Sequence, residues 1–304
     1  MSELHGVIPY LPTPVDQPSG RLRTGVLQRL VDHLVSSGVH GLSPLGSTGE
    51  FASLPPELRL ATVRCVIEAA AGRVPVVPGV AAAGTRDAID QAQRYVEAGA
   101  SGIVLILQPY FRLSGAEVLS FYRSVAQAVT VPIVIYENPL LGTALSLDAL
   151  EELSVLPSIR YLKDASTNTG RLLTIQNRLR GRIQLFSASA HVPLLVLEIG
   201  GVGWMAGPAC VAPGASVELV RLHAAGDHDG AWALQRRLWR LNELFQRFSL
   251  APCIKAALEL EGFRVGEPLH PQRALQGGEQ AEVREALREL DLLGAPLGDP
   301  ARAG

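Results

Sequence analysis

Eight short runs of almost uninterrupted apolar residues recur through the first two thirds of the chain. They restrict its fold more than any other feature. The runs are GVIPYL (6–11), GLSPL (41–45), VPVVPGV (74–80), GIVLILQ (102–108), VPIVIYE (131–137), IRYLK (159–163), RIQLFS (182–187) and GVGWMA (201–206). A strand with one wet face alternates apolar and polar residues, and most of these do not. Strands buried on both faces read this way, and they belong to parallel sheets covered by helices.

Helical spacing fills the gaps. Thr24 is placed to cap a helix with Leu27, Leu30, Val31 and Leu34 on one face, ended by Gly38. Leu60, Val63, Ile67 and Ala70 repeat the pattern before Gly72. Ala88, Ala92 and Tyr95 do so before Gly99, and Val118, Tyr122, Val125 and Val129 before Val131. Three similar passages, SGVHGL (37–42), AGASGI (98–103) and IGGVGW (199–204), bring a helix through glycines into the next strand. Eight strands, each followed by a helical stretch, predict an α/β fold of the (β/α)8 TIM-barrel type, with an open doubly wound sheet as the alternative. Strand signals stop after Ala215, and residues 215–225, 229–248, 251–262 and 279–293 read as helices. The expected division is therefore a barrel catalytic domain over 1–214 and a C-terminal helical extension over 215–304, whose tail GAPLGDPARAG is expected to fray.

In such a barrel the chemistry sits at the C-terminal ends of the strands. Lys163 ends the sixth run, Tyr136 comes near the end of the fifth, and GSTGE (46–50) follows the second. Three polar features far apart in sequence are thus predicted to share one face. Each has a bland explanation. Lysine is among the side chains least often buried, and one at a strand end can extend its ammonium to water. A phenol there can be a packed aromatic with its hydroxyl satisfied. GSTGE can be a flexible loop that caps the next helix. The chemical explanations are a desolvated amine able to attack a carbonyl, a phenol that moves its protons, and a glycine-flanked pair of hydroxyls that cradles an anion such as a carboxylate.

Composition narrows the field. The 304 residues are 47% hydrophobic and carry a formal net charge of −2, with no basic run for nucleic acid. Cys65, Cys210 and Cys253 are too few and too scattered for a disulfide framework, so a reducing cytoplasm is expected. No secretory signal is expected from MSELHGVIPY, and no apolar run reaches membrane-spanning length. The seven histidines show no metal-ligand spacing, and HAAGDHDG (223–230) reads as a solvated turn between helices. GVGWMA matches the letters of a dinucleotide fingerprint, but its glycines lead into a strand instead of following one. Enolate chemistry needs an electron sink. With neither metal nor cofactor expected, a lysine iminium is the simpler sink.

PLGSTGEF, the YxNP stretch YENP and the lysine strand YLKDAS together resemble the dihydrodipicolinate synthase/N-acetylneuraminate lyase family of Schiff-base lyases, over almost the whole chain. The resemblance implies a TIM barrel with C-terminal helices, assembled as a homotetramer or dimer. It implies that Lys163 forms an imine with pyruvate or another 2-oxo acid and that Tyr136 relays protons. Ser47 and Thr48, with Gly49, hold the substrate carboxylate and link to the phenol, and Met205 lines the pyruvate pocket. Two departures stand out. Leu141 occupies the place of an arginine that binds the carboxylate of aspartate semialdehyde in the lysine-pathway synthases. Phe111 occupies the place of a tyrosine supplied by a neighbouring subunit, with Tyr110 beside it as a possible substitute. The expected activity is a cofactor-free aldolase or hydro-lyase acting on a 2-oxo acid and an aldehyde or sugar acid. An authentic 4-hydroxy-tetrahydrodipicolinate synthase is one alternative. A non-catalytic 2-oxo-acid sensor is the other.

Overall fold

A computed structural model describes residues 3–189 and 191–293. The tail from 294 onward lies outside the described residues. Nine strands form in chain order: β1 (Gly6–Pro9), β2 (Val15–Asp16), β3 (Arg21–Leu22), β4 (Gly79–Ala82), β5 (Ile103–Leu107), β6 (Ile133–Glu137), β7 (Ile159–Asp164), β8 (Gln184–Ser187) and β9 (Gly203–Ala206). Seven make one curled parallel sheet in the order β1-β9-β8-β7-β6-β5-β4. β4, β5, β6 and β9 are buried at every position, so their continuous apolar character reports two covered faces. β2 and β3 pair antiparallel as a separate ribbon that the sequence reading lacks.

The expected second strand, GLSPL, is not a regular strand. It makes two isolated parallel bridges, Tyr10 with Ser43 and Leu42 with Val76. Backbone bonds from this segment nevertheless run to both sides: His40 N to Val7 O (2.8 Å), Ser43 N to Pro9 O (3.0 Å), Leu42 N to Pro75 O (2.9 Å) and Val77 N to Leu42 O (2.8 Å). Residues 40–44 therefore join the two edges of the sheet. The ladder is irregular because Pro44, Pro75 and Pro78 have no N–H to donate.

Helices Pro56–Ala70, Thr85–Glu97, Gly115–Ala128, Leu147–Leu153, Thr169–Leu179 and Pro193–Glu198 cover the outside. Ala88, Ala92 and Tyr95 are buried as expected, as are Val118, Tyr122 and Val125. One expected cap is absent. Thr24 is the first residue of its helix (Thr24–Ser36), Arg23 takes the cap position, and no side chain caps it. After residue 212 the chain is helical at Pro213–Ala224, His228–Phe248, Leu250–Leu260 and Gly277–Glu289. Helix Leu250–Leu260 packs against the turn at Ser47–Gly49, so the C-terminal helices reach the mouth of the sheet. No described helix is long and apolar enough to cross a membrane.

Candidate active site

β6 and β7 are neighbours in the sheet, and their pairing sets Tyr136 beside Lys163 and Glu137 beside Asp164. Side chains alternate across a strand. Tyr136 and Lys163 therefore share the inner face, while Glu137 and Asp164 share the outer, helix-covered face. Lys163 is 3% exposed and Tyr136 8%. The Lys163 amine lies 4.0 Å from the centroid of the Tyr136 ring and 4.1 Å from that of Tyr10, so it sits between two aromatic faces. Burial pushes the amine well below the ordinary lysine range. The attraction of each ring for an ammonium, about 0.5–2 kcal/mol, opposes that shift and is outweighed. This is not a lysine reaching for water.

A cavity of about 350 Å³ opens over the amine. Tyr10, Ser47, Thr48, Tyr136, Leu140 and Leu250 contribute to its wall, as do Ser166, Thr167 and Ser189. Burial raises the Tyr136 phenol above its usual value, eased by hydrogen bonds involving Ser47 and Asn138. The phenol therefore stays protonated at neutral pH and is available as an acid. Thr48 is fully buried, whereas Ser47 is exposed to the cavity. Two glycines make this packing possible. A side-chain carbon at Gly46 would stand 2.8 Å from the Tyr10 ring, and one at Gly207 would stand 2.5 Å from the Thr48 hydroxyl.

Five of the sequence-derived site residues lie elsewhere. Gly49 is the buried last residue of the turn at Ser47–Gly49, with its carbonyl accepting from the Thr13 hydroxyl at 2.8 Å. Met205 is fully buried in the apolar cluster that includes Ile8, Tyr10 and Tyr136, and it does not line the cavity. Tyr110 and Phe111 are 88% and 75% exposed and stand outside it. Leu141 is half-buried against the core, and its neighbour Leu140, 91% exposed, lines the cavity instead. Sequence reasoning passed over Tyr10 because it sits inside an apolar run. Its place at the end of the first strand was the available signal. Leu250 comes from a distant helix and left no signal.

Glu137 faces away from the cavity. Its carboxylate accepts from Leu145 N at 2.6 Å and from Arg171 at 2.8 Å. Arg171 also reaches Asp164 at 3.4 Å, while Ser166 N donates to Asp164 at 2.5 Å. Burial raises Glu137 above the usual carboxylate range, with Arg171 working against that rise. Burial also pushes Asp164 up, but His191, Ser166 and Arg171 together hold it below its usual value. One guanidinium thus pairs with two adjacent carboxylates behind the strand that carries Lys163. Arg171→Ala is expected to cost about 3 kcal/mol of unfolding free energy in denaturant titration, because it strands buried charge. A loss below about 1 kcal/mol would contradict the assignment.

Among the described residues lining the cavity, Lys163 is the only cationic side chain. What the arrangement can do follows from its parts: a free amine for a carbonyl, a phenol for its protons, and two hydroxyls beside them for an anion.

The Dihydrodipicolinate synthetase family profile matches residues 3–290. An uncharacterized DapA-like lyase of Halobacterium salinarum is 32% identical over 291 residues, covering 95% of each chain. A 4-hydroxy-tetrahydrodipicolinate synthase of Acidiphilium cryptum is 31% identical over 291 residues, covering 95% of this chain and 99% of that one. Among solved structures, a prophage protein of the dihydrodipicolinic acid synthase family from E. coli K12, YagE, in complex with pyruvate, matches with a TM-score of 0.88. Its identity is 29%, with 96% of this chain and 100% of that chain covered.

Proposed function

The chain belongs to the dihydrodipicolinate synthetase family, and from that premise we propose that it is a Schiff-base lyase acting on pyruvate or a related 2-oxo acid. The observation that carries this reading is the buried Lys163 amine, held between two phenol rings at the floor of the cavity. The amine attacks the ketone carbon, and Tyr136 gives its proton to the departing oxygen. Loss of water leaves an iminium, which draws electrons from the adjacent carbon once a proton leaves that carbon. The resulting enamine adds to an aldehyde, or arises by aldol cleavage; a dehydratase would expel a hydroxyl through the same intermediate. Ser47 and Thr48 hold the carboxylate. The complete eight-stranded barrel, a cytoplasmic location and a dimer or tetramer belong to the same reading. In that assembly, Tyr110 of a second copy is the candidate for the relay position.

Enamine formation is visible without a second substrate. In D2O the methyl protons of pyruvate should exchange for deuterium in proportion to enzyme, followed by proton NMR. Exchange no faster than in buffer would sink the reading and favour a sensor.

A second reading, the lysine-pathway synthase itself, is favoured by the name of the Acidiphilium relative. The cavity speaks against it. The aldehyde of that reaction carries a carboxylate, and this chain offers it Leu140 at the cavity, with Leu141 turned to the core, in place of a guanidinium fork that would supply charge-assisted bonds of about 1.5–3 kcal/mol each. Glu137 adds no repulsion there, since it points to Arg171. Aspartate semialdehyde is therefore expected to be a poor partner and a neutral or less acidic aldehyde a better one. Leu140→Arg, at the cavity, should raise kcat/KM for aspartate semialdehyde more than Leu141→Arg. A wild-type kcat/KM on the order of 10⁴ M⁻¹s⁻¹ or more would restore the second reading.

A further inference from the structure

We propose that the buried ion pair between Lys255 and Glu50 is a positioning device that holds the Ser47–Thr48 turn in the geometry that binds the substrate carboxylate. This rests on the reading of Ser47 and Thr48 given above.

Glu50 closes the GSTGE segment. Its backbone is left-handed (φ 53°), a conformation that side-chain-bearing residues adopt only when their surroundings enforce it. Its side chain is fully buried, and two contacts hold it there. One carboxylate oxygen accepts from Leu269 N at 2.5 Å, and the other lies 2.5 Å from the Lys255 amine. The amine in turn donates to Glu267 O at 2.9 Å. Glu50 N bonds back to Ser47 O at 3.1 Å, so fixing Glu50 fixes the turn.

Lys255 stands on helix Leu250–Leu260, whose first residue lines the cavity over Lys163. One helix thus walls the site and anchors its anion-binding turn from behind. A second cavity of about 430 Å³ is bounded by Ser47, Glu50, Leu250 and Gln272. The Ser47 end of the turn therefore borders two cavities, and Glu50 anchors the other end. Stability alone does not account for such a pair. Replacing a buried ion pair by apolar groups is often neutral or stabilising, whereas removing one partner is costly. A pair that sets a backbone conformation has a reason to be charged.

The test is the pyruvate dependence of borohydride trapping, read by intact mass on the full chain, alongside kcat. The double variant Glu50→Gln/Lys255→Met removes both charges and strands neither. It is expected to raise the half-saturating pyruvate concentration at least about tenfold, while kcat at saturation falls less than about threefold. That split is not what general loosening of the fold would give. Half-saturation within about twofold of wild type overturns the proposal. If the double variant does not fold, Glu50→Asp decides. It keeps the charge but shortens the reach by one methylene, and an unchanged half-saturation in that variant is equally contrary. Wild-type protein that traps no pyruvate overturns the underlying reading of the site, and this proposal with it.

Discussion

Lys163→Arg should abolish turnover, with a loss on the order of 10⁴-fold or more, as expected when a covalent nucleophile is removed. A guanidinium stays protonated at any working pH and cannot attack a carbonyl. The replacement is also planar and wider, and Lys163 has an aromatic ring about 4 Å away on each of two sides. Lys163→Met separates chemistry from packing. It removes a buried amine from an apolar slot, so it should fold at least as well as wild type while showing no imine. The same burial fixes the pH dependence of the wild type. The free amine is the active form, and desolvation lowers its pKa, so kcat/KM should fall as pH drops through that lowered value. The acid limb therefore lies below the ordinary lysine range of about 10.4. A Lys163→Arg protein with substantial activity would place the nucleophile elsewhere.

Tyr136→Phe should keep the fold and lose about 100- to 10,000-fold in kcat, the usual contribution of a general acid–base group. The phenylalanine preserves the ring against which the Lys163 amine packs, so the amine slot survives. What disappears is the hydroxyl that Ser47 and Asn138 address. Pyruvate should still be trapped by borohydride, but more slowly, because dehydration of the carbinolamine loses its proton donor. Near-wild-type turnover in a folded Tyr136→Phe protein would mean that another group moves the proton. Tyr10 would then be the first to examine, since it also lines the cavity.

The sequence showed the sheet because burial on both faces leaves an unmistakable mark. β5 and β6 fall inside the apolar runs that announced them. It overstated the second strand, because apolar content says nothing about hydrogen bonding. Pro44, Pro75 and Pro78 interrupt the ladder that GLSPL was expected to join. The strand-end rule brought Lys163 and Tyr136 together correctly, and their register in adjacent strands puts both on the inner face. It did not foresee Tyr10, whose apolar ring hid it among strand residues. Nor did it foresee contacts made across long separations. Arg171 bridges Glu137 and Asp164 from a helix, and Lys255 reaches Glu50 from the C-terminal region. Such pairs have no spacing to read, since they depend on how the elements pack. Leu141 shows the limit of alignment by motif. The motif points to Leu141, whereas the side chain at the cavity belongs to Leu140.

The central claim is that Lys163 forms a covalent imine with a 2-oxo acid. Incubation with pyruvate, reduction with borohydride, digestion and mass spectrometry test it directly. The account predicts one added pyruvate-derived mass per chain, confined to the peptide that contains YLKDAS. No added mass, or label on another lysine such as Lys255, would contradict it.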